Sequence, residues 1–367
     1  MTEQELSAYI QAIRPADEAA MEAARRRQAQ LAKPPGSLGQ LEEISIRLAG
    51  VTGQVCPAMG KCRVAVFAAD NGVVAEGVSC TPPAVTLQQA VNMTFRKTGM
   101  SAMAAAFGDD VSVVDVGIDG DVPPVGVLDR KVRRGTGDIA REDAMTRQQA
   151  LDAMAAGMEQ AARARADGVT ALGIGEMGIG NTTTSAAVLA ALTGADIEAV
   201  TGRGGGLTDE GFLRKKEVLR QALALHRPDG NDVIGVLAGV GGLDLAAMTG
   251  AFLGCAHERV PAAVDGFISI AAALCAVRLC PAVRDVLFLS HDSYEVGYRI
   301  AAETLGLQPC LRLGMRLGEG SGCPLLFRVL EGACGVMRGM ATFGEASIED
   351  SYLDEIRAMD AFTVEAT

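Results

Sequence analysis

At 367 residues, 49% of them hydrophobic and 21% charged, the chain carries enough apolar material for a large packed core and lacks the composition of a disordered protein. A formal net charge of −12 repels nucleic acid and anionic lipid, and no basic run is longer than Arg25-Arg26-Arg27. No stretch approaches the ~18 uninterrupted apolar residues of a membrane span.

The first residues, Met1-Thr2-Glu3-Gln4-Glu5, are acidic, with neither a basic n-region nor an apolar h-region, so a cytoplasmic protein is expected. Helical spacing predicts helices over Glu3 to Ile13 and Asp17 to Leu31, with a break at Pro15. A loop, Lys33-Pro34-Pro35-Gly36, follows. Ser37-Leu38-Gly39-Gln40 then has the form of a capping box, with Ser37 accepting from the Gln40 N–H, and opens a helix running to about Gly50.

From Cys62 the pattern changes to short apolar runs that end in Gly- or Asp-containing loops, each followed by an Ala-rich helical stretch. The runs are Arg63 to Ala69, Val111 to Ile118, Val169 to Ile174, Pro261 to Asp265, Val286 to Ser290 and, shortest, Leu311 to Leu313. Runs apolar on both faces and joined through helices predict a parallel sheet covered on both sides, an α/β fold. Pro123 to Arg141 carries Arg130, Lys131, Arg133 and Arg134 among glycines and reads as a surface loop, with a place at the active-site mouth as the alternative. Ile268 to Val277 suits a buried helix. The stretch from about Pro324 to Met340 predicts a C-terminal helix that packs on the N-terminal ones. The expected division is a discontinuous helical domain of residues 1–58 and 324–367 beside a large α/β domain of residues 59–323.

The nine cysteines include no C-x-x-C pair and read as reduced, mostly buried thiols. His226, His257 and His291 stand apart in sequence, so no metal site is expected.

Ligands of open parallel sheets bind beyond the carboxyl ends of the strands. Four loops there are unusual. They are Asp70-Asn71-Gly72 with Glu76 to Cys80, Gly175-Glu176-Met177-Gly178-Ile179-Gly180-Asn181-Thr182-Thr183-Thr184, Ser290-His291-Asp292, and Gly318-Glu319-Gly320-Ser321-Gly322. In the second, glycines 173, 175, 178 and 180 followed by Asn181 and three threonines suit an anion at a helix N-terminus. The same glycines match G-x-G-x-x-G, which leaves a nicotinamide-dependent oxidoreductase open, although Glu176 would repel a pyrophosphate lying across the turn. A plain tight turn is the other alternative. Thr201-Gly202-Arg203-Gly204-Gly205-Gly206 forms a second glycine cluster, and Lys215 on the next helical stretch can supply a counter-charge or be merely solvated. Glu319, lodged between glycines, would have its pKa raised by apolar walls, as a general base requires.

On these loops, together with Lys33 to Gly39, Val85-Thr86 and Gln88, Arg214-Lys215 and Asp265-Gly266, the chain resembles the nicotinate-nucleotide:dimethylbenzimidazole phosphoribosyltransferase family of cobalamin lower-ligand activation over almost its whole length. The resemblance implies a Rossmann-like six-stranded parallel sheet with a small helical domain built from both chain ends, usually as a dimer. It implies transfer of the 5-phosphoribosyl group of nicotinate mononucleotide to an aromatic acceptor, with no metal or organic cofactor. Glu319 matches the family's base and Glu176 a second carboxylate. Gly178, Gly180, Asn181, Thr182, Gly202, Gly204 and Lys215 match phosphate and ribose contacts, and Gln88 matches a position lining the acceptor pocket. Ser79, Cys80, Ser290, Asp292 and Gly318 complete the substrate-binding candidates. Asn71, where many members have His, and Cys80 depart from the family pattern near the acceptor pocket. The Asp-Asn-Gly form resembles members that work as paired subunits and accept phenols. That leaves open a phenolic acceptor, a homodimer or a heterodimer with a paralogue, and a catalytically weak partner subunit.

Overall fold

The structure is a computed structural model and describes residues 1–122 and 126–355. Residues 123–125 of the expected surface loop and 356–367 of the expected helical domain lie outside the described residues.

Three helices come first: α1 (Glu3–Gln11), α2 (Glu18–Gln30) and α3 (Gln40–Thr52). Thr2 starts α1 through a capping box, accepting from the Glu5 N–H at 3.2 Å while Glu5 returns a bond to the Thr2 N–H at 2.7 Å. The box expected at Ser37 does not form. Gly36 and Gly39, with φ of 68° and 53°, coil that segment into consecutive turns and make Gly39 the N-cap. The carboxylate of Glu42 instead ties the preceding loop to α3, accepting from the Leu38 N–H at 3.0 Å and from Lys33 Nζ at 2.6 Å.

β1 (Cys62–Ala69), α4 (Val85–Thr94), α5 (Gly99–Phe107), β2 (Asp110–Gly117) and β3 (Val127–Asp129) follow. Next come α6 (Arg147–Ala166), β4 (Ala171–Met177), α7 (Asn181–Thr193), α8 (Ile197–Val200) and α9 (Asp209–His226). The chain continues through α10 (Val233–Val240), α11 (Leu243–Glu258), β5 (Ala262–Val264), α12 (Phe267–Leu279), β6 (Leu287–Leu289), α13 (Gly297–Leu305) and α14 (Cys323–Gly339).

The six strands form one parallel sheet in the order β3-β2-β1-β4-β5-β6. Strand order reverses between β1 and β4, which opens a crevice at their carboxyl ends. Asp70 follows β1 there, and Glu176 is the penultimate residue of β4.

Two strand expectations change. Leu311 to Leu313 is not a strand: Leu311 makes a single parallel bridge to His291, and Pro309 and the left-handed Gly314 bound the run. The sixth strand is β3, inside the segment read as a loop, where Val127 to Asp129 pair with Val113 to Asp115. A three-residue edge strand among arginines and glycines carries too little alternation to register. β4 also runs to Met177, so Glu176 is a strand residue rather than part of the loop.

Backbones approach closely beneath the sheet. A Cβ at Gly157 of α6 would lie 1.8 Å from the Ala247 carbonyl oxygen, and one at Gly250 of α11 would lie 1.9 Å from that of Met154. Glycine at both positions lets α6 and α11 meet backbone to backbone. The apolar run read as a buried helix is α12, buried from Phe267 to Ala276. α2, α3 and α14 bury Ala20, Ala24, Leu31, Ile46, Ala49 and Met337 together, while Leu6 of α1 and Ile44, Leu48 and Val51 of α3 join the main core.

Candidate active site

Gly318, Glu319 and Gly320 all adopt left-handed φ, at 81°, 63° and 84°. For glutamate this costs about 1–2 kcal/mol, so the surroundings must hold it. They do so with carboxylates. Asp265, just after β5, accepts from the Gly320 N–H at 3.0 Å and the Gly322 N–H at 2.6 Å, and Glu176 Oε1 accepts from the Glu319 N–H at 3.3 Å. Gly175 of β4 lets the loop lie on the strand, because a Cβ there would stand 2.7 Å from the Glu319 carbonyl oxygen. The strand glycines 173 and 175 therefore serve loop and helix packing rather than an anion cradle. Ser290 and His291 back the same loop: Ser290 Oγ bonds the Asp265 carbonyl at 3.2 Å and lies 2.9 Å from His291 Nδ1.

The side chain of Glu319 is buried, and burial raises its pKa against the hydrogen bonds it accepts from the Met100 N–H, at 3.3 Å, and from Thr98. That is the environment expected of a base poised above the ordinary carboxylate range.

Behind it stands a second carboxylate pair. Asn181, the first residue of α7, donates both amide hydrogens, one to Glu176 Oε2 at 2.5 Å and one to Asp244 Oδ2 at 2.9 Å. Asp244, at the start of α11, also accepts from the Leu245 N–H at 2.9 Å. Burial, and then the Asp244 charge, push Glu176 up to about 8; burial raises Asp244 to about 6. Burial thus favours the protonated form of Glu176 in this pocket. Asn71 is buried in the same layer, donating to the Ile179 carbonyl at 3.4 Å and accepting from Thr184 Oγ1 at 3.5 Å.

A third cluster gathers an ammonium and glycines. Lys215 on α9 is fully buried, not solvated, and burial lowers its pKa to about 8. Its Nζ donates to Thr182 Oγ1 at 2.8 Å and to the Gly202 carbonyl at 3.1 Å. Gly204 closes on Thr182, whose Oγ1 lies 2.9 Å from where a Cβ would stand. Thr182, Gly202, Gly204 and Lys215 therefore share one place, and Gly180 and Asn181 open the helix that carries Thr182. Gly178 sits under Asn181, its Cβ position 2.8 Å from Asp244 Oδ2.

The remaining candidates are less closely tied. Ser79 bonds its neighbour Thr81, while Cys80 and Gln88 are exposed. Asp292 bonds the Leu311 carbonyl through its own N–H at 2.8 Å. Sequence reasoning missed Asp244 and Glu295, and did not assign a role to Asp265 or to Thr86, whose Oγ1 accepts from the Ile179 N–H at 3.1 Å. Asp265-Gly266 and Val85-Thr86 were visible as motifs; nothing near Asp244 marked it. Among the described residues, no group of three or more His, Cys, Asp or Glu is placed to hold a metal ion, and no helix is long and apolar enough to cross a membrane.

A phosphoribosyltransferase family model matches residues 13–348. The chain belongs to this phosphoribosyltransferase family. It is accordingly a pentosyltransferase enzyme. It is 46% identical over 341 residues to the nicotinate-nucleotide–dimethylbenzimidazole phosphoribosyltransferase of Clostridium perfringens strain 13, covering 93% of this chain and 94% of that protein. It is also 46% identical to that of Geobacter metallireducens, covering 94% and 98%. The crystal structure of CobT from Thermus thermophilus superposes with a TM-score of 0.88 at 45% identity, covering 91% of this chain and all of that one.

Proposed function

We propose that the enzyme transfers the 5-phosphoribosyl group of nicotinate mononucleotide to an aromatic lower-ligand base, releasing nicotinate and an α-ribotide for cobamide synthesis. The observation that carries this reading is the convergence of Glu319, Glu176 and the Lys215 cradle at the carboxyl end of the sheet, in a chain whose relatives bear that activity in their names.

In this reading Lys215, Thr182, Gly202 and Gly204 hold the phosphate and fix the ribose for attack. The acceptor nitrogen forms a bond to C1′ from the face opposite nicotinate. The bond from C1′ to the pyridinium nitrogen breaks, its electron pair returns to that nitrogen, and the anomeric centre inverts from β to α. Glu319 takes the proton that the acceptor loses. Glu176, whose neutral form burial favours, would release its proton to solvent as the pyridinium cation binds beside it, and its carboxylate would then stabilise positive charge developing at C1′.

Asn71 motivates a second arm, in which the acceptor is a phenol and the chain pairs with a paralogue rather than with a copy of itself. A catalytically weak partner subunit is the corresponding alternative, and the constrained Glu319 loop argues against it. Mass spectrometry of products from nicotinate mononucleotide with a panel of benzimidazoles, purines and phenols tests the whole reading. An α-ribotide and free nicotinate are expected, and silence with every acceptor would overturn it.

A further inference from the structure

The cradle around Lys215 already contains an anion of its own. Glu295 lies on the short strap between β6 and α13, and its Oε2 stands 1.6 Å from the position a Cβ at Gly202 would take. That oxygen is buried without a hydrogen-bond partner, while the Gly204 N–H donates to the carboxylate and the Lys215 ammonium attracts it. Arg316 adds a second attractive charge. The strap is a surface segment: Asp292 and Tyr294 donate their N–H groups to the Leu311 and Met315 carbonyls at 2.8 and 3.1 Å, and the Tyr294 and Val296 side chains on either side of Glu295 are exposed. Glu295, between these two exposed side chains, is half-buried.

A buried carboxylate oxygen with no donor is a costly arrangement. It is also the arrangement a phosphate would meet, since the glycine N–H and the ammonium that face Glu295 are the groups the proposed reading assigns to the nucleotide. We propose that Glu295 is an internal competitor for the phosphate subsite, its carboxylate and the incoming phosphate excluding one another from the Gly202–Gly204 end of the cradle. The inference rests on the assignment of Lys215 and its neighbours to the phosphate. Its consequence is a raised affinity threshold that every anion entering the cradle must meet. An anion held by charge alone must displace a tethered carboxylate, whereas a phosphate carried on a ribose brings further contacts that offset the exchange. Small free anions are thereby kept out of a site that would otherwise attract them.

Isothermal titration of nicotinate mononucleotide and, separately, of inorganic phosphate into the full chain tests this with three variants. Glu295→Gln keeps the side-chain volume and removes the charge, and it should bind both ligands roughly tenfold more tightly than the wild type. Glu295→Asp, too short to reach Gly202, should also tighten binding of both and serves if the glutamine variant does not fold. Unchanged affinity in both variants overturns the proposal. So does weaker binding of the nucleotide with unchanged binding of phosphate, which would make Glu295 a ribose contact. Lys215→Met separates the two levels of the argument. Undiminished nucleotide binding in that variant would remove the phosphate assignment itself, whereas lost binding in Lys215→Met with no tightening in the Glu295 variants would remove only the competitor.

Discussion

The backbone N–H of Glu319 donates to Oε1 of Glu176 at 3.3 Å, a hydrogen bond that ties the Glu319 loop to the Glu176 side chain across 143 positions of sequence. The donor is available only because Gly318, Glu319 and Gly320 all turn into the left-handed region. A Cβ at Gly318 would stand 2.5 Å from Glu176 Oε1, so glycine there is a condition of the contact.

That loop depends on Asp265. Asp265→Asn retains one acceptor and turns an amide N–H₂ toward the other donor, leaving either Gly320 or Gly322 unsatisfied. A loss of about 1–3 kcal/mol in stability is expected, together with a fall in kcat as Glu319 loses its position. Denaturant titration and steady-state rates check it, and a variant with wild-type values for both would show that the loop holds itself.

The protonation of Glu176 should tilt stability with pH. Its pKa rises from 4.5 in the unfolded chain to about 8 in the fold. Between those values the unfolded chain has lost the proton and the folded one keeps it. The stabilisation is therefore complete below 4.5, declines as pH rises, and is gone above about 8. The decline is on the order of a few kcal/mol. Glu176→Gln should flatten that slope. Any constant cost from mismatched partners shifts the curve without tilting it, so urea unfolding at several pH values gives the answer. An unchanged slope would assign the titration elsewhere.

Activity should tilt the other way. Glu319 must be ionised to accept a proton, and burial holds its pKa above the ordinary value of 4.5. kcat/KM is therefore expected to climb as pH rises through the weakly acidic range, with its midpoint above that of an exposed glutamate. A rate that does not rise with pH above the titration range of an exposed glutamate would be inconsistent with the base described here.

The meeting of α6 and α11 gives a structural test far from the chemistry. Gly157→Ala places a methyl group 1.8 Å from the Ala247 carbonyl oxygen, with backbone on every near side. The helices must separate, and a loss of about 1–3 kcal/mol is expected, read as a lower denaturant midpoint. Wild-type stability would mean that the interface is looser than the structure has it.

The strands that carry the site were legible because each is a continuous apolar run ending in Gly or Asp, and buried parallel strands leave that trace. β3 was not, since three residues at a sheet edge are fixed by pairing with Val113 to Asp115 and not by any local pattern. Glu319 and Glu176 stood out between glycines. Asp244 did not, because its meaning lies in Asn181, 63 positions away, and its own neighbours read as an ordinary helix start. Lys215 and Glu295 show the same limit: whether a charged side chain on a helix or strap is solvated or buried is decided by the element packed over it.

The most direct test of the account is the release of nicotinate from nicotinate mononucleotide by the wild type and by Glu319→Gln, with dimethylbenzimidazole or phenol as acceptor and nucleotide affinity measured alongside. The wild type should release nicotinate, and the variant should bind the nucleotide nearly as well yet turn over at least about a hundredfold more slowly, the amide having no basic oxygen to take the proton. A variant that works at close to the wild-type rate would contradict the assignment of Glu319 as the base.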